Sequence, residues 1–184
     1  MPTTHPDRLH YTGNDEADEL LAREPFALLV GFALDQQVTV PQAFVGPLRI
    51  KQRVGTLDPK VLAGTDLEPA FREKPAVHRY PASMAKRVRE LAAFVAEEHG
   101  GDAARVWTEA RDGDDLRRRL AALPGFGDMK VRSMTAVLAK RFGVKVAKAV
   151  APDHPTLGDV DSAEALDEYQ AVKRAYKAAQ KAAR

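Results

Sequence analysis

The 184-residue sequence contains no cysteine. Structural disulfides, cysteine-ligated zinc and iron–sulfur clusters are therefore excluded, and a reducing compartment such as the cytoplasm is the expected location. Long apolar runs are missing too, because no stretch approaches the roughly 20 apolar residues that span a bilayer. Residues 1–5 offer no apolar leader. We therefore expect a cytoplasmic protein that neither enters a membrane nor is exported.

A large excess of charge of one sign is also lacking, since the formal net charge is only +2. The charges are unevenly distributed, however. Residues 113–184 hold 14 Lys or Arg against 9 Asp or Glu, whereas residues 1–112 hold 14 against 17. A basic C-terminal part suits a polyanionic partner, although a solvated surface can show the same imbalance.

The alternation of β-branched and polar residues that marks a half-buried strand is absent as well. Apolar residues instead recur with a period near 3.6, as between Met84 and Val95. The pattern predicts an all-α protein. Asp161 and Glu164 predict a capping box at the last helix, whose basic face we interpret as solvated. The predicted helices cover about 15–23, 26–38, 41–53, 82–98, 114–122, 128–142 and 162–182.

A Leu-Pro-Gly-Phe-Gly turn at 123–127 separates two of these helices. Gly125 and Gly127 are expected to adopt positive φ and, lacking side chains, to let a phosphate reach the backbone. Leu123 and Phe126 are expected to point into the core and to fix the angle between the two helices. The pattern is typical of a helix-hairpin-helix, which grips the DNA backbone without reading bases.

Lys130 and Arg132 follow in the first turn of the second helix, whose N-terminal amides carry a partial positive charge. Together with the two glycines they are candidate phosphate ligands, and double-stranded DNA is the expected partner. The alternative is an ordinary pair of antiparallel helices, in which proline and glycine only end one helix and start the next.

Three segments in this order resemble the helix-hairpin-helix DNA glycosylase superfamily, which includes endonuclease III. Besides the turn, residues 25–39 are similar to the family's early buried helix, which ends in a Gln facing DNA. Residues 80–88 are similar to the helix that leads to the hairpin. The resemblance covers about residues 25–155. Because endonuclease III carries a four-cysteine motif that this sequence lacks, the chain resembles a branch without the iron–sulfur cluster.

The resemblance implies a two-lobed helical fold in a single unit spanning 1–184. One lobe would comprise about 40–142, with the hairpin at 114–142, and the other about 1–39 together with 143–184. Family members flip a damaged or mispaired base out of the duplex into the cleft between the lobes. One chain suffices for this task, so we expect a monomer that associates with the nucleoid when it binds DNA.

By resemblance, Gln37, together with Gln36, would fill the gap that the flipped base leaves, unless both are only the polar end of a buried helix. Tyr80 would stack at the cleft, or simply pack. Met129 stands where bifunctional members carry the lysine that forms a Schiff base with the sugar. We therefore expect Met129 to line the base pocket and the protein to have no lyase activity.

The family places a catalytic aspartate after the hairpin, where a carboxylate stabilises an oxocarbenium ion and activates water. Asp153 is the candidate here, 26 residues after Gly127. The alternative is that Asp153 is only the N-cap of a short helix. Asp159 and Asp161 are further candidate carboxylates.

Two isolated histidines, His78 and His154, do not predict a divalent metal site. The resemblance implies that carbonyls of the hairpin turn can hold a monovalent cation. Two functions then remain open: a monofunctional DNA glycosylase of base excision repair, and a reader that binds a modified base, for example a methylated one, without cleaving it. A general DNA-binding or partner-binding scaffold is a third interpretation.

Overall fold

The computed structural model describes residues 5–184, and all regular structure in that range is helical. The predicted all-α class is therefore confirmed. The expectation of no leader at residues 1–5 falls almost entirely outside the described residues. The helices are α1 (Asp15–Arg23), α2 (Pro25–Leu34), α3 (Val40–Val54), α4 (Pro59–Leu62), α5 (Glu68–Arg72), α6 (Pro81–Glu98), α7 (Arg105–Thr108), α8 (Gly113–Ala121), α9 (Asp128–Lys140), α10 (Lys145–Lys148), a 3-10 helix (Leu157–Asp159) and α11 (Ala163–Ala182).

The prediction of a helix over 26–38 is wrong at its end, because α2 stops at Leu34. Gln37 adopts a left-handed backbone with φ +58°, which an α-helix does not contain. Sequence periodicity also missed α4, α5, α7 and α10. Each has only four or five residues, too few for a helical period to be visible.

The predicted capping box at the last helix is wrong as well. Ser162, and not Asp161, is the N-cap of α11, and its hydroxyl accepts a hydrogen bond of 3.0 Å from the N–H of Ala165. The third helical position is thus occupied by an alanine, which has no side chain to complete the box with the cap.

Helix α2 lies at the centre of the core, where nine of its ten residues are buried. Gly31 lets α3 approach closely, since a Cβ there would lie 2.4 Å from Cδ1 of Phe44. The ring of Phe44 packs edge-on against Phe32, with centroids 5.2 Å apart. A helix that is apolar all round, as α2 is, has to be covered on every side.

The hairpin is attached to this central helix through the same core. Phe126 lies 6.5 Å from Phe32, centroid to centroid, and Leu123 is only 2% exposed. Trp107 is buried in this cluster too. The C-terminal end of α2 and the hairpin turn are therefore held side by side. Within residues 5–184, every helix is too short or too polar to cross a membrane.

Candidate nucleic-acid interface

The hairpin turn joins α8 to α9 with the geometry of a tight connection. Gly125 adopts φ +83°, as predicted for a residue without Cβ. The same prediction for Gly127 is wrong, since its backbone is extended with φ −86° and ψ −178°. A Cβ at Gly127 would meet no atom within 4 Å, so the backbone there is open to the outside. Leu123 and Phe126 are buried as expected.

The N-terminus of α9 begins directly at this open backbone. Gly127 is its N-cap, and no side chain accepts a hydrogen bond from the amides of the first turn. These amides are available to an anion, and the dipole of a 13-residue helix favours negative charge there. Asp128, the acidic residue of this turn, weakens that preference because its carboxylate competes for the same amides.

Arg87 of α6 covers the other side of the turn. A Cβ at Gly125 would lie 2.7 Å from Cδ of Arg87, so only glycine allows the arginine to pass this closely. The guanidinium of Arg87 donates a hydrogen bond of 2.6 Å to Oε1 of Gln36. Arg87 thus connects the hairpin to the segment after α2. Sequence reasoning missed this residue, because an arginine on an amphipathic helix looks like any solvated residue.

Lys130 does not project freely into solvent as a phosphate ligand would. Its Nζ donates hydrogen bonds to the carbonyl of Ala33 (3.2 Å), in the last turn of α2, and to that of Gly125 (3.4 Å). Burial lowers the pKa of Lys130 to about 8, the positive charge of Arg87 acts in the same direction, and Asp35 opposes it. A lysine held in this way joins the hairpin to α2, and its amine loses its proton more readily than that of an ordinary lysine.

The carbonyl of Gly125 is consequently a poor ligand for another cation, since it faces the amine of Lys130. The monovalent cation expected at the turn stays a prediction for the remaining carbonyls. No group of three or more His, Asp or Glu converges among residues 5–184 to hold a metal ion.

Gln37 and Tyr80 meet across 43 positions of sequence. The hydroxyl of Tyr80 donates a hydrogen bond of 3.0 Å to Oε1 of Gln37, and both side chains are exposed. Arg79 lies over the same ring, 5.1 Å from its centroid. Tyr80 is therefore not part of the hydrophobic core, and the interpretation that it simply packs is wrong.

His78 fixes the backbone beneath this pair. Its Nδ1 accepts a hydrogen bond of 3.0 Å from the N–H of Tyr80, so the ring proton is on Nε2, which points at the carbonyls of Leu34 and Gln36 at 3.1 Å each. Burial lowers the pKa of His78 below its usual value. A neutral imidazole thus ties the residues after α2 to those before α6.

Asp35, which the sequence did not single out, lies half-buried beside these residues. Burial raises the pKa of its carboxyl group, and the ammonium groups of Lys173 and Lys130 oppose the shift. Asp35 lies two positions before Gln37 in the chain, and its carboxyl group is influenced by lysines of two different helices, α9 and α11. A carboxylate with a raised pKa is a candidate for a catalytic role as well as for a structural one.

Met129 is 72% exposed at the start of α9. It was expected to line a base pocket, but it presents an apolar side chain to solvent, as Tyr80 does with 42% of its surface exposed. Met129 thus exposes an apolar side chain at the start of α9 and Tyr80 exposes one at the start of α6, and both are available to an apolar partner.

Asp153 and Arg132 lie elsewhere. They share a depression of about 570 Å³ with Arg117 and Asp128. Arg132 follows Lys130 by two positions, which on a helix turns the side chain by about 200°. The alternative assignment of Asp153 as an N-cap is wrong, because Thr156 caps the 3-10 helix that follows. The structure therefore does not bring Asp153 together with Gln37.

Of the two further carboxylates, Asp159 accepts hydrogen bonds from Lys140 and from the N–H of Thr156, where it closes the cap of the 3-10 helix. Both carboxylate oxygens of Asp159 therefore accept structural hydrogen bonds. Asp161 is exposed and precedes α11.

Six residues from three separate segments are joined by these contacts, and we call them the hairpin surface: Gln36, Gln37, Tyr80, Arg87, Gly125 and Lys130. No protein-family model, no curated protein and no solved structure matches the chain. The functional interpretation therefore depends on the geometry of this surface.

Proposed function

We propose that this protein binds double-stranded DNA through the hairpin surface and accommodates a damaged or modified base turned out of the duplex, acting as a monofunctional DNA glycosylase. The observation that supports it most is the convergence of Gln36 and Gln37, Tyr80 and the turn 123–127 on one hydrogen-bonded surface. These residues belong to the three segments that resemble helix-hairpin-helix glycosylases. In this proposal the helices form the two-lobed fold of that superfamily.

The turn would hold the DNA backbone. A phosphate approaches the open backbone at Gly127 and the amides at the start of α9, while Leu123 and Phe126 anchor the turn in the core. Contacts of this kind position the protein without reading sequence. Arg87 and Lys130 supply positive charge behind the turn.

Gln37 would enter the duplex. Its side chain is exposed, its backbone is left-handed and so does not continue α2, and the hydroxyl of Tyr80 orients its amide. Strained backbone geometry at an exposed polar residue is typical of functional sites. The amide can replace the hydrogen bonds that the orphaned base loses when its partner is flipped.

Release of the base would require a carboxylate against the sugar, because the glycosidic bond breaks with oxocarbenium character. Asp153 is the candidate by resemblance. Asp35 is the second candidate, because it lies two positions before Gln37 in the chain and Lys130 contributes to its electrostatic environment. Water would be the nucleophile in either case, and no covalent enzyme intermediate forms.

A reader of a modified base is the second candidate function. It is favoured by the position of Asp153, which shares a depression with Arg132 and lies apart from Gln37. A protein that keeps the base-flipping surface without a well-placed carboxylate would bind a modified base and leave it attached.

The test uses duplexes that each carry a single uracil, hypoxanthine, ethenoadenine, 8-oxoguanine or N6-methyladenine. Affinity and alkali-revealed abasic sites are recorded for each. A glycosylase releases one of these bases, and Asp35→Asn or Asp153→Asn then identifies the carboxylate, with Asp7→Asn, at an exposed aspartate outside the candidate set, as the matched control. Selective binding without release supports the reader, and equal affinity for every duplex contradicts both.

The absence of lyase activity is tested separately with borohydride and a duplex containing an abasic site. No covalent complex is expected, because Nζ of Lys130 is held on two carbonyls and Met129 occupies the position of the family's lysine. A trapped complex that Lys130→Arg abolishes would contradict the monofunctional assignment.

A further inference from the structure

We propose that the C-terminal helix α11 and the start of α3 form a second DNA-backbone site beside Gln37. This inference rests on the proposed function and extends it to a part of the chain that sequence analysis interpreted as solvated. The site is a groove of about 550 Å³ between the two helices, which we call the α11 groove. Its lining includes Gln37, Arg79, Gln170, Lys173, Arg174 and Lys177.

The charge of the α11 groove is of one sign. Arg79, Lys173, Arg174 and Lys177 contribute to its lining, and no acidic residue does so among the described residues. After Glu168 the remaining sequence of α11 has no Asp or Glu. Arg79, Arg174 and Lys177 are exposed, so water and salt screen part of the repulsion among the four cations, and a bound anion would reduce it further.

Asp35 is a half-buried carboxylate whose environment includes two of these cations. Lys173 and Lys177 both oppose the rise of its pKa that burial causes. One negative charge does not balance four positive ones. The groove therefore keeps an excess of positive charge for a polyanion.

The start of α3 adds to this field. Thr39 and Val40 line the groove, and Thr39 is the N-cap of a 15-residue helix. The positive end of that helix dipole points into the same concavity as the four cations.

Gln170 provides an independent indication of a ligand. Its Nε2 atom is buried and has no hydrogen-bond partner in the described part of the chain. The side chain lines the groove. A buried amide N–H without an acceptor is costly, and an oxygen of a bound phosphate would satisfy it.

Continuity with the hairpin surface identifies the occupant as the backbone of duplex DNA. Gln37 belongs to both surfaces, so a duplex contacted by Gln37 would lie next to the α11 groove as well as to the hairpin surface. The groove is open, as an extended polyanion requires, and its amide and cationic side chains match phosphodiester oxygens.

The experiment measures how the affinity of the full chain for an unmodified duplex depends on salt. The variant Lys173→Ala/Arg174→Ala/Lys177→Ala removes groove cations while keeping good helix formers in α11. Lys181→Ala/Arg184→Ala is the matched control, because those residues lie on the same C-terminal segment but do not line the groove. For every phosphate that the variant no longer neutralises, the slope of log K against log salt should decrease in magnitude by about 0.9.

We expect a slope shallower by about 1 to 3 in the groove variant and an unchanged slope in the control. The same slope in wild type and groove variant would overturn the α11 groove while leaving DNA binding by the hairpin intact. No duplex binding by the wild type would overturn the proposed function and the groove together. Lys177→Glu provides a second readout, since charge reversal should weaken binding more than Lys177→Ala.

A lipid surface is tested in a parallel arm with vesicles containing phosphatidylserine. Vesicle binding that depends on the three groove residues, combined with an unchanged duplex slope, would assign the groove to membranes and overturn the proposal. Inorganic phosphate at constant ionic strength should displace the duplex no better than chloride, because the proposed groove contacts linked phosphates of one DNA backbone.

Discussion

The hydroxyl of Tyr80 donates a hydrogen bond of 3.0 Å to Oε1 of Gln37, which in the described part of the chain is the one non-glycine residue with positive φ. The two residues flank different helices, α2 and α6. A left-handed backbone at a residue other than glycine costs on the order of 1–3 kcal/mol, so the surrounding contacts must hold it in place. The hydrogen bonds of His78 to Tyr80 and Gln36 do so from below.

Gln37→Asn should keep the left-handed backbone at position 37 and remove the contacts that the longer side chain makes. Asparagine tolerates the left-handed region, so the free energy of unfolding should stay within about 0.5 kcal/mol of wild type or rise. The shorter amide no longer reaches Tyr80 or the gap in a duplex, and the preference for a lesion-containing duplex should disappear. Tyr80→Phe, which removes only the hydroxyl, should reduce that preference partially. Denaturant unfolding measures the stability of each variant, and duplex titration measures its preference for the lesion. A Gln37→Asn protein that keeps the full lesion preference would show that Gln37 has no part in the mechanism.

The two glycines of the turn should respond differently to alanine. Gly125→Ala places a Cβ 2.7 Å from Cδ of Arg87 at φ +83°, and should lower the free energy of unfolding by about 1–2 kcal/mol or more. Gly127→Ala meets no atom within 4 Å, so it should lower the free energy of unfolding by at most about 1 kcal/mol, because alanine is a poorer N-cap than glycine. The new methyl group should nevertheless weaken binding to all duplexes alike, because it stands where a phosphate approaches. Unchanged affinity in Gly127→Ala would exclude the hairpin as the DNA contact.

Stability should depend on pH through His78. Burial lowers its pKa in the folded protein, so below about pH 6.5 the unfolded chain binds a proton that the folded chain does not. The free energy of unfolding should therefore fall as the pH drops through 6.5, by at most about 1.4 kcal/mol per pH unit for one proton. His78→Gln should flatten this dependence, and His99→Gln should also flatten it, because burial lowers the pKa of His99 too. His154→Gln, at an exposed histidine, is the matched control. An identical pH profile for wild type and His78→Gln would show that His78 does not contribute to the pH dependence.

The amine of Lys130 should titrate near pH 8, well below an ordinary lysine. Arg87→Met should raise this pKa, because a neighbouring positive charge is removed, and Asp35→Asn should lower it further, because the opposing negative charge is removed. NMR of ¹³C-methylated lysines, with Lys130→Arg for assignment, measures the shifts. A pKa near 10.5 in the wild type would mean that Nζ is solvated and free to contact phosphate.

Sequence reasoning located the elements of the site better than their orientations. The apolar run of α2, the turn 123–127 and the residues 36 and 37 were recognisable because composition and residue order carry those signals. The end of α2 was missed because contacts around it, such as the hydrogen bond from His78 to the carbonyl of Leu34, join residues 44 positions apart. Such long-range hydrogen bonds leave no local trace in a sequence.

The direction of individual side chains was harder still to predict. Lys130 and Arg132 looked alike as basic residues after a glycine, yet one is turned into the fold and the other lines a depression on the opposite flank of α9. The difference arises from how α9 docks on α2. The basic face of α11 was interpreted as solvated for the same reason, since only the packed structure places it opposite Gln37 and the start of α3.

The most direct test of base flipping by the hairpin surface uses 2-aminopurine, whose fluorescence rises when it is unstacked. The probe is placed next to the modified base in the duplex that the protein binds most tightly, and in an unmodified duplex of the same sequence. We expect preferential binding of the modified duplex and a fluorescence increase that Gln37→Asn abolishes. Tight binding of both duplexes with equal affinity and no change in fluorescence would contradict it.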